Sequence, residues 1–545
     1  MNLSTWHGSQ RQDMLGENII PAVPSVGLPH RTRGESPMLW GIIGIILSLV
    51  LLITLAYRGM PVVIAAPIAS VVALVFSGAP LLASYTEIFM PALAGFVGNY
   101  FPVFLLGAIF GILMTITGYA ESIARSVARR LGARSALLAT VLTSALMTYG
   151  GISLFVVAFV MFPLARELFR VADIPKRLIP GTIALGIFTF TMTALPGSPQ
   201  VQNIIPGQFF GTDGFAAPGV GVVGTLIILG FGMAWLEYRR SSLMRNGEHF
   251  GSDEIPAKRG GSGLFGRGKA QPSAADPDGG TSPQRERSGG TVETQEKDAP
   301  VSASAPTTAL LQPRNAVEPF LPLVAVIAVN FACTLLIFPR LEWSYLQEEK
   351  FGGIALSNRA GIWAVIIALI VAILVVLALN AKNLGTLKSG FTEGVKGAML
   401  PIFSTASEVG YGAVVASVAA FAVVRDAVFN VGGNALVTSV LSTSVTAAIT
   451  GSSSGGMTIA LNAFGDQLRT MAEDQGMSLE AMHRLTAMAA GGLDTLPHSG
   501  AVVTLLLVCG LTHRQSYKDI GMVTIVGPVL AVAILVGVVS LFGSF

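Results

Sequence analysis

The sequence predicts an all-α polytopic membrane protein made of two halves inserted as an inverted repeat. Three observations lead there. The 545-residue chain is 52% hydrophobic and only 12% charged, with a mean hydropathy of +0.66. It carries several charge-free runs long enough to span a bilayer. Short motifs in its first half also recur in its second half at a nearly constant distance.

Such a composition holds more apolar surface than a soluble fold of this size buries. A hydrocarbon core takes about 20 helical residues to cross, and runs 39–56, 101–119, 214–236, 320–338 and 360–381 meet that length without a charge. Runs 60–86, 178–212, 485–512 and 520–545 are also largely apolar, but Pro, Gly or charge interrupts three of them. Residues 1–37 form a polar tail without the layout of a signal peptide, and Met38 directly before the first run is an alternative start.

Residues 237–318 are rich in Gly, Ser, Pro and charge, too poor in apolar residues to offset their ordering entropy. This stretch is expected to be a disordered cytoplasmic linker between membrane repeats 39–236 and 319–545. Within it, Gly263, Gly268 and Lys269 imitate a phosphate-binding loop, but Ala270 stands where a magnesium-ligating hydroxyl is needed and no strand precedes it. No cofactor is expected. The two cysteines, Cys333 and Cys509, lie in apolar runs without metal or redox spacing. The net charge of +3 comes mostly from residues that flank helices, with no aromatic-interleaved basic patch, which argues against nucleic acid.

The repeat rests on three motif pairs. Leu195-Pro196-Gly197-Ser198 matches Leu496-Pro497-His498-Ser499, and Gly150-Gly151-Ile152-Ser153 matches Gly451-Ser452-Ser453-Ser454. Ser198 and Ser499 are 301 residues apart, as are Ser153 and Ser454, while 299 separate Pro102 from Pro401. The first half counts five crossings, at 39–56, 60–78, 101–119, 178–208 and 214–236. Run 135–164 is split by Tyr149-Gly150-Gly151 into arms too short to span, and reads as a re-entrant hairpin. An odd count forces the second copy upside down, giving ten crossings and two hairpins. Arg125, Arg129, Arg130 and Arg134 before the hairpin, with Arg166, Arg170, Lys176 and Arg177 after it, mark the cytoplasmic end. Arg58, Lys382, Lys388, Lys396, Arg514 and Lys518 fall on the same side and both termini lie outside, while Arg31 and Arg33 disagree unless translation starts at Met38.

Backbone breaks inside spanning segments survive where protein or a water-filled cavity solvates them. Four breaks occur, at 149–153, 195–203, 451–456 and 491–500, two per half at matching positions. Half-helix N-termini favour a carboxylate, and Ser153, Ser198, Ser452, Ser453, Ser454, Thr495 and Ser499 add hydroxyls. Gly150, Gly151 and Gly455 would let main chain approach a ligand; the alternative is close helix packing. Gln200, Gln202 and Asn203 are neutral amides suited to selecting a substrate hydroxyl.

Asp494 and His498 lie four residues apart inside an apolar run, where a charge costs at least about 2.5 kcal/mol on insertion scales. They are candidates for a proton relay, or for a pair that props the loop. Glu408 interrupts another apolar run and is a second proton-coupling candidate. Asp466 and Arg469 read as surface charges.

At these motifs the chain resembles the gluconate permease (GntP) family of the wider ion-transporter superfamily, through Gly491-Gly492-Leu493-Asp494-Thr495-Leu496-Pro497-His498-Ser499-Gly500 and Gly451-Ser452-Ser453-Ser454-Gly455-Gly456. The resemblance runs from residue 39 to the C-terminus without the linker. It implies proton-coupled uptake of small hydroxy-carboxylates across the inner membrane by an elevator-like, dimeric scaffold. Residues 194–203 depart from the His- and Pro-rich break of sugar-acid members, and 494–498 is closer to hydroxybutyrate-permease-like members. The expectation is therefore a proton symporter for a short-chain hydroxy-monocarboxylate such as 3-hydroxybutyrate, or a gluconate-like acid. A sodium-coupled carrier is the nearest alternative. An anion channel or an intramembrane enzyme fits less well, because the enzyme lacks a nucleophile constellation and neither needs a two-fold repeat.

Overall fold

A computed structural model describes residues 36–58, 60–132, 135–251, 311–423, 426–427, 433–497 and 499–544. The first half forms α1 (Ser36–Tyr57), α2 (Val62–Ser77), α3 (Leu81–Ile116), α4 (Tyr119–Leu131), the pair α5 (Ala136–Tyr149) and α6 (Leu154–Val171), the pair α7 (Ile179–Ile187) and α8 (Ile205–Phe210), and α9 (Pro218–Arg245). The second half forms α10 (Glu318–Arg340), α11 (Ala360–Leu379), α12 (Leu384–Ser417), the pair α13 (Ala435–Thr450) and α14 (Ser453–Asp474), the pair α15 (Leu479–Leu493) and α16 (Gly500–Cys509), and α17 (His513–Phe542). No strand occurs among the described residues.

Helices α1, α3, α9, α10, α11 and α17 are each long and apolar enough to cross a membrane. Their outward faces carry exposed Trp40, Ile46, Val50, Ile370, Leu374 and Ile534. Such a surface is costly in water and is solvated in hydrocarbon. The protein is an all-α, multi-pass membrane protein. The segments between the breaks are short because their arms end at Gly or Pro: α13 stops at Gly451 (φ 65°) and α16 at Gly510 (φ 63°), both left-handed.

Helix α3 begins earlier than hydropathy suggested. Its 36 residues rise about 54 Å, well beyond a hydrocarbon core of about 30 Å. Glu87 is exposed in a wide π turn, Tyr85–Phe89, so the helix continues through a stretch that an apolarity window excludes. It packs antiparallel to α12. A side chain at Gly394 would strike the Ile109 backbone, one at Gly390 would meet Leu113, and one at Gly410 would meet Phe89. This register sets Pro401 opposite Pro102. Glycine lets the two long helices approach more closely than larger residues allow.

The ends of the expected linker are more ordered than its composition indicated. Helix α9 runs past Glu237 to Arg245, steadied by Arg239, whose Nε donates to Asp519 Oδ1 at 2.7 Å while Trp235 Nε1 donates to the same oxygen at 3.1 Å. Asp173 then accepts from Phe250 N–H and pairs with His249 at 2.7 Å; both hold its carboxyl below the usual range. On the far side, Leu311 N–H donates to Ile116 O, and buried Glu318 accepts from Tyr119 Oη at 2.7 Å. The phosphate-loop-like stretch 263–270 lies outside the described residues.

The Asp519 side chain is fully buried beside Arg239. Removing one partner of a buried pair strands the other, at a cost of about 3–5 kcal/mol. Asp519→Ala is therefore expected to lower the unfolding temperature in detergent sharply. An unchanged temperature would mean the pair contributes nothing to the α9–α17 contact.

Candidate functional site

Side-chain hydrogen bonds link the breaks to one another. In the first half, Tyr149 Oη donates to Pro196 O at 2.7 Å and Gln200 Nε2 donates to Thr148 O at 2.7 Å. These bonds clamp the break after α5 onto the break between α7 and α8. Asn330 of α10 adds a bond to Gly197 O at 2.8 Å.

In the second half, Ser452 is the N-cap of α14, its hydroxyl accepting from Gly455 N–H at 3.2 Å. The same hydroxyl faces the carboxyl of Glu408 on α12. Gly455 lies so close to Glu408 Oε2 that a Cβ there would collide with it. One residue on, the Ser453 hydroxyl faces the carboxyl of Asp494, which closes α15. Gln202 Nε2 donates to Ser453 Oγ at 3.1 Å, so a first-half break reaches the tip of the second-half pair.

Two acids thus flank one helix N-terminus. Glu408 is 5% exposed and Asp494 7%, and neither Glu408 Oε2 nor Asp494 Oδ1 has a hydrogen-bond partner. Buried carboxylate oxygens are almost always satisfied. Two orphans beside a helix N-terminus make this the most chemically poised point among the described residues. His498, proposed as the relay partner of Asp494, lies outside those residues. Ser454 is buried in the first turn of α14 and Ser499 is the N-cap of α16, neither capping through its side chain.

Several expected ligand contacts are instead spent on the protein. Gly150 abuts Leu323 of α10, and Gly151 (φ 89°) lies against Leu369 and Val326, so close packing and a left-handed turn account for both. Ser198 donates to Thr191 O at 2.5 Å. The Asn203 amide donates to Ser198 O and Gly214 O, each at 2.9 Å, and its oxygen accepts from Arg484, leaving no donor for a ligand. Thr524 commits its hydrogen to Ile520 O, so Thr495 donates to Thr524 Oγ1 at 2.7 Å. Ser153 is the half-buried N-cap of α6 with no capping bond from its side chain. Asp466 and Arg469 are exposed, the latter paired with Glu473 at 2.9 Å.

His483 and Arg484, both 0% exposed on α15, carry no mark in the sequence pattern. They sit directly before the apolar run at 485, where hydropathy places a membrane edge. The available signal was Ser478, whose hydroxyl caps the helix from Ala481 N–H and starts it a full turn earlier.

Two comparisons bear on what this arrangement serves. Residues 36–233 match the model of the GntP family permeases. Across 508 residues, 92% of this chain and 98% of the relative, the sequence is 41% identical to the uncharacterized transporter YxjC of Bacillus subtilis (strain 168). With that identity along the whole membrane core, and with its helices broken in pairs, the chain is a transporter belonging to the GntP permease family.

Proposed function

We propose that the protein is a proton-coupled symporter of small organic acids, favouring a short-chain hydroxy-monocarboxylate such as 3-hydroxybutyrate over a sugar acid, in the inner membrane. The observation that carries this reading is the pair of orphan carboxylate oxygens, on Glu408 and Asp494, either side of the α14 N-terminus. A buried carboxylate with one oxygen left unpartnered is costly unless it takes up a proton or a cation. With both acids neutral, the N–H groups of α14 and the hydroxyls of Ser452 and Ser453 attract an anion; with both ionised, the two carboxylates repel it. Proton and acid therefore enter together.

Several features support the inverted repeat. The proline-bearing helices α3 and α12 run antiparallel with their prolines opposed, and each half contains one split pair followed by one broken crossing. Counting each broken crossing once gives ten spans. The basic end, with Arg125, Arg129, Arg130, Arg166 and Arg170, then faces the cytoplasm. Linker 237–318 falls on that side, and a homodimer follows the scaffold implied by the family.

Uptake of labelled 3-hydroxybutyrate into proteoliposomes tests the reading. Accumulation driven by an acid-outside gradient without sodium is expected. Accumulation driven by sodium at fixed pH would replace the proton with sodium, and uptake that ignores both gradients would remove coupling altogether.

A further inference from the structure

Arg484 is the largest fully buried side chain among the described residues, and the coupling chemistry makes no use of it. Its guanidinium is caged by neutral oxygens. Nε donates to Ala216 O at 3.0 Å, Nη1 to Asn203 Oδ1 at 2.5 Å and Thr193 O at 3.4 Å, and Nη2 to Ala216 O at 2.8 Å and Gly214 O at 3.0 Å. All these acceptors belong to the first half, whereas Arg484 belongs to the second. Asp213 is the acid that attracts it through space. A planar five-donor fork suits such a set of converging oxygens, and an ammonium group does not.

His483 completes the clamp. Its Nε2 faces Asn203 O at 3.1 Å, an acceptor only, so Nε2 carries the hydrogen and Nδ1 receives the Thr212 hydroxyl at 2.7 Å. Asn203 thus has its backbone oxygen, side-chain oxygen and side-chain nitrogen all fixed, the first two by α15. Its neighbour Gln202 is the residue that reaches across to Ser453.

We infer that Arg484 is a positioning residue: through Asn203 it holds Gln202 against Ser453, so that the first-half break contributes to the anion site at the α14 N-terminus. This rests on the transport reading above for its functional consequence, but its geometric content stands alone. The side chain never touches substrate. It donates to main-chain oxygens of Thr193, Gly214 and Ala216, which lie in non-helical or helix-terminal backbone.

The test uses the full chain with Cys333→Ser and Cys509→Ser, carrying Gln202→Cys and Ser453→Cys. A short bis-methanethiosulfonate reagent links the two thiols, and the linked peptides are quantified by mass spectrometry. Efficient linking is expected with Arg484 present and a several-fold loss is expected with Arg484→Met and with Arg484→Lys. In the chain retaining Gln202 and Ser453, Arg484→Lys should raise the KM for the acid about tenfold with little change in Vmax, since small misplacements carry such penalties. If Arg484→Met fails to fold, Arg484→Lys and Asn203→Ala provide the same readouts. Undiminished linking in the folded variants overturns the inference, as does a fall in unfolding temperature with KM unchanged. Absence of organic-acid uptake by the unaltered protein would instead defeat the transport reading, while the linking yield still decides the position of Gln202.

Discussion

Asp494→Asn is expected to lower pH-gradient-driven uptake by at least about tenfold, as loss of a positioned proton-transfer group does, while exchange of labelled for unlabelled acid at equal pH persists. Asn keeps the shape and the hydrogen-bonding contact with Ser453 but holds no exchangeable acidic proton. Position 494 then stays permanently neutral, so that side of the α14 N-terminus remains receptive to an anion. Net accumulation needs a proton to bind on one side and leave on the other; exchange does not. Retained gradient-driven uptake in Asp494→Asn, with Glu408→Gln also active, would mean that the orphan oxygens at the α14 N-terminus are not where the proton rides.

Gly455→Ala should be nearly as damaging, for a steric reason. The added methyl meets Glu408 Oε2 and comes within 3.2 Å of Ser452 Oγ, so the carboxyl must retreat from the helix N-terminus. Overpacking of this kind costs about 1–3 kcal/mol, and here the strain falls on the proposed site. Uptake should drop at least several-fold. Glu408→Asp, one methylene shorter, should restore part of it in the double variant. Gly500→Ala is the control, since open space surrounds that position and uptake should be unaffected. An active Gly455→Ala protein would show that Glu408 does not need to sit against α14.

Both predictions concern residues that stand out in the sequence itself. Asp494 and Glu408 stand out because a charge in an apolar run demands a reason, and Ser452 to Gly455 because a Gly- and Ser-rich break in such a run does too. Hydropathy likewise located α1, α10 and α11 within a few residues, while it ended α9 nine residues early and began α17 seven residues late.

What escaped has a common cause. Hydropathy reports which segments prefer lipid and is silent on which polar atoms find partners inside the protein. Asn203, Ser198 and Thr495 looked like ligand groups because they are polar at a break; their hydrogen bonds to Arg484, Thr191 O and Thr524 depend on folds in the chain that no local pattern encodes. Arg484 was lost for the opposite reason, since a charged residue beside an apolar run reads as a membrane edge. Gly150 was ambiguous between ligand approach and packing, and Leu323, 173 residues away, decides for packing.

The most direct test of the central claim follows the proton rather than the acid. Liposomes loaded with a pH-sensitive dye, with and without the protein, receive 3-hydroxybutyrate outside at neutral pH. Acidification of the lumen should be faster with the unaltered protein than in protein-free liposomes, and should return to the protein-free rate with Asp494→Asn. Entry of labelled acid through the protein with lumenal pH no different from protein-free liposomes would contradict proton coupling at this site.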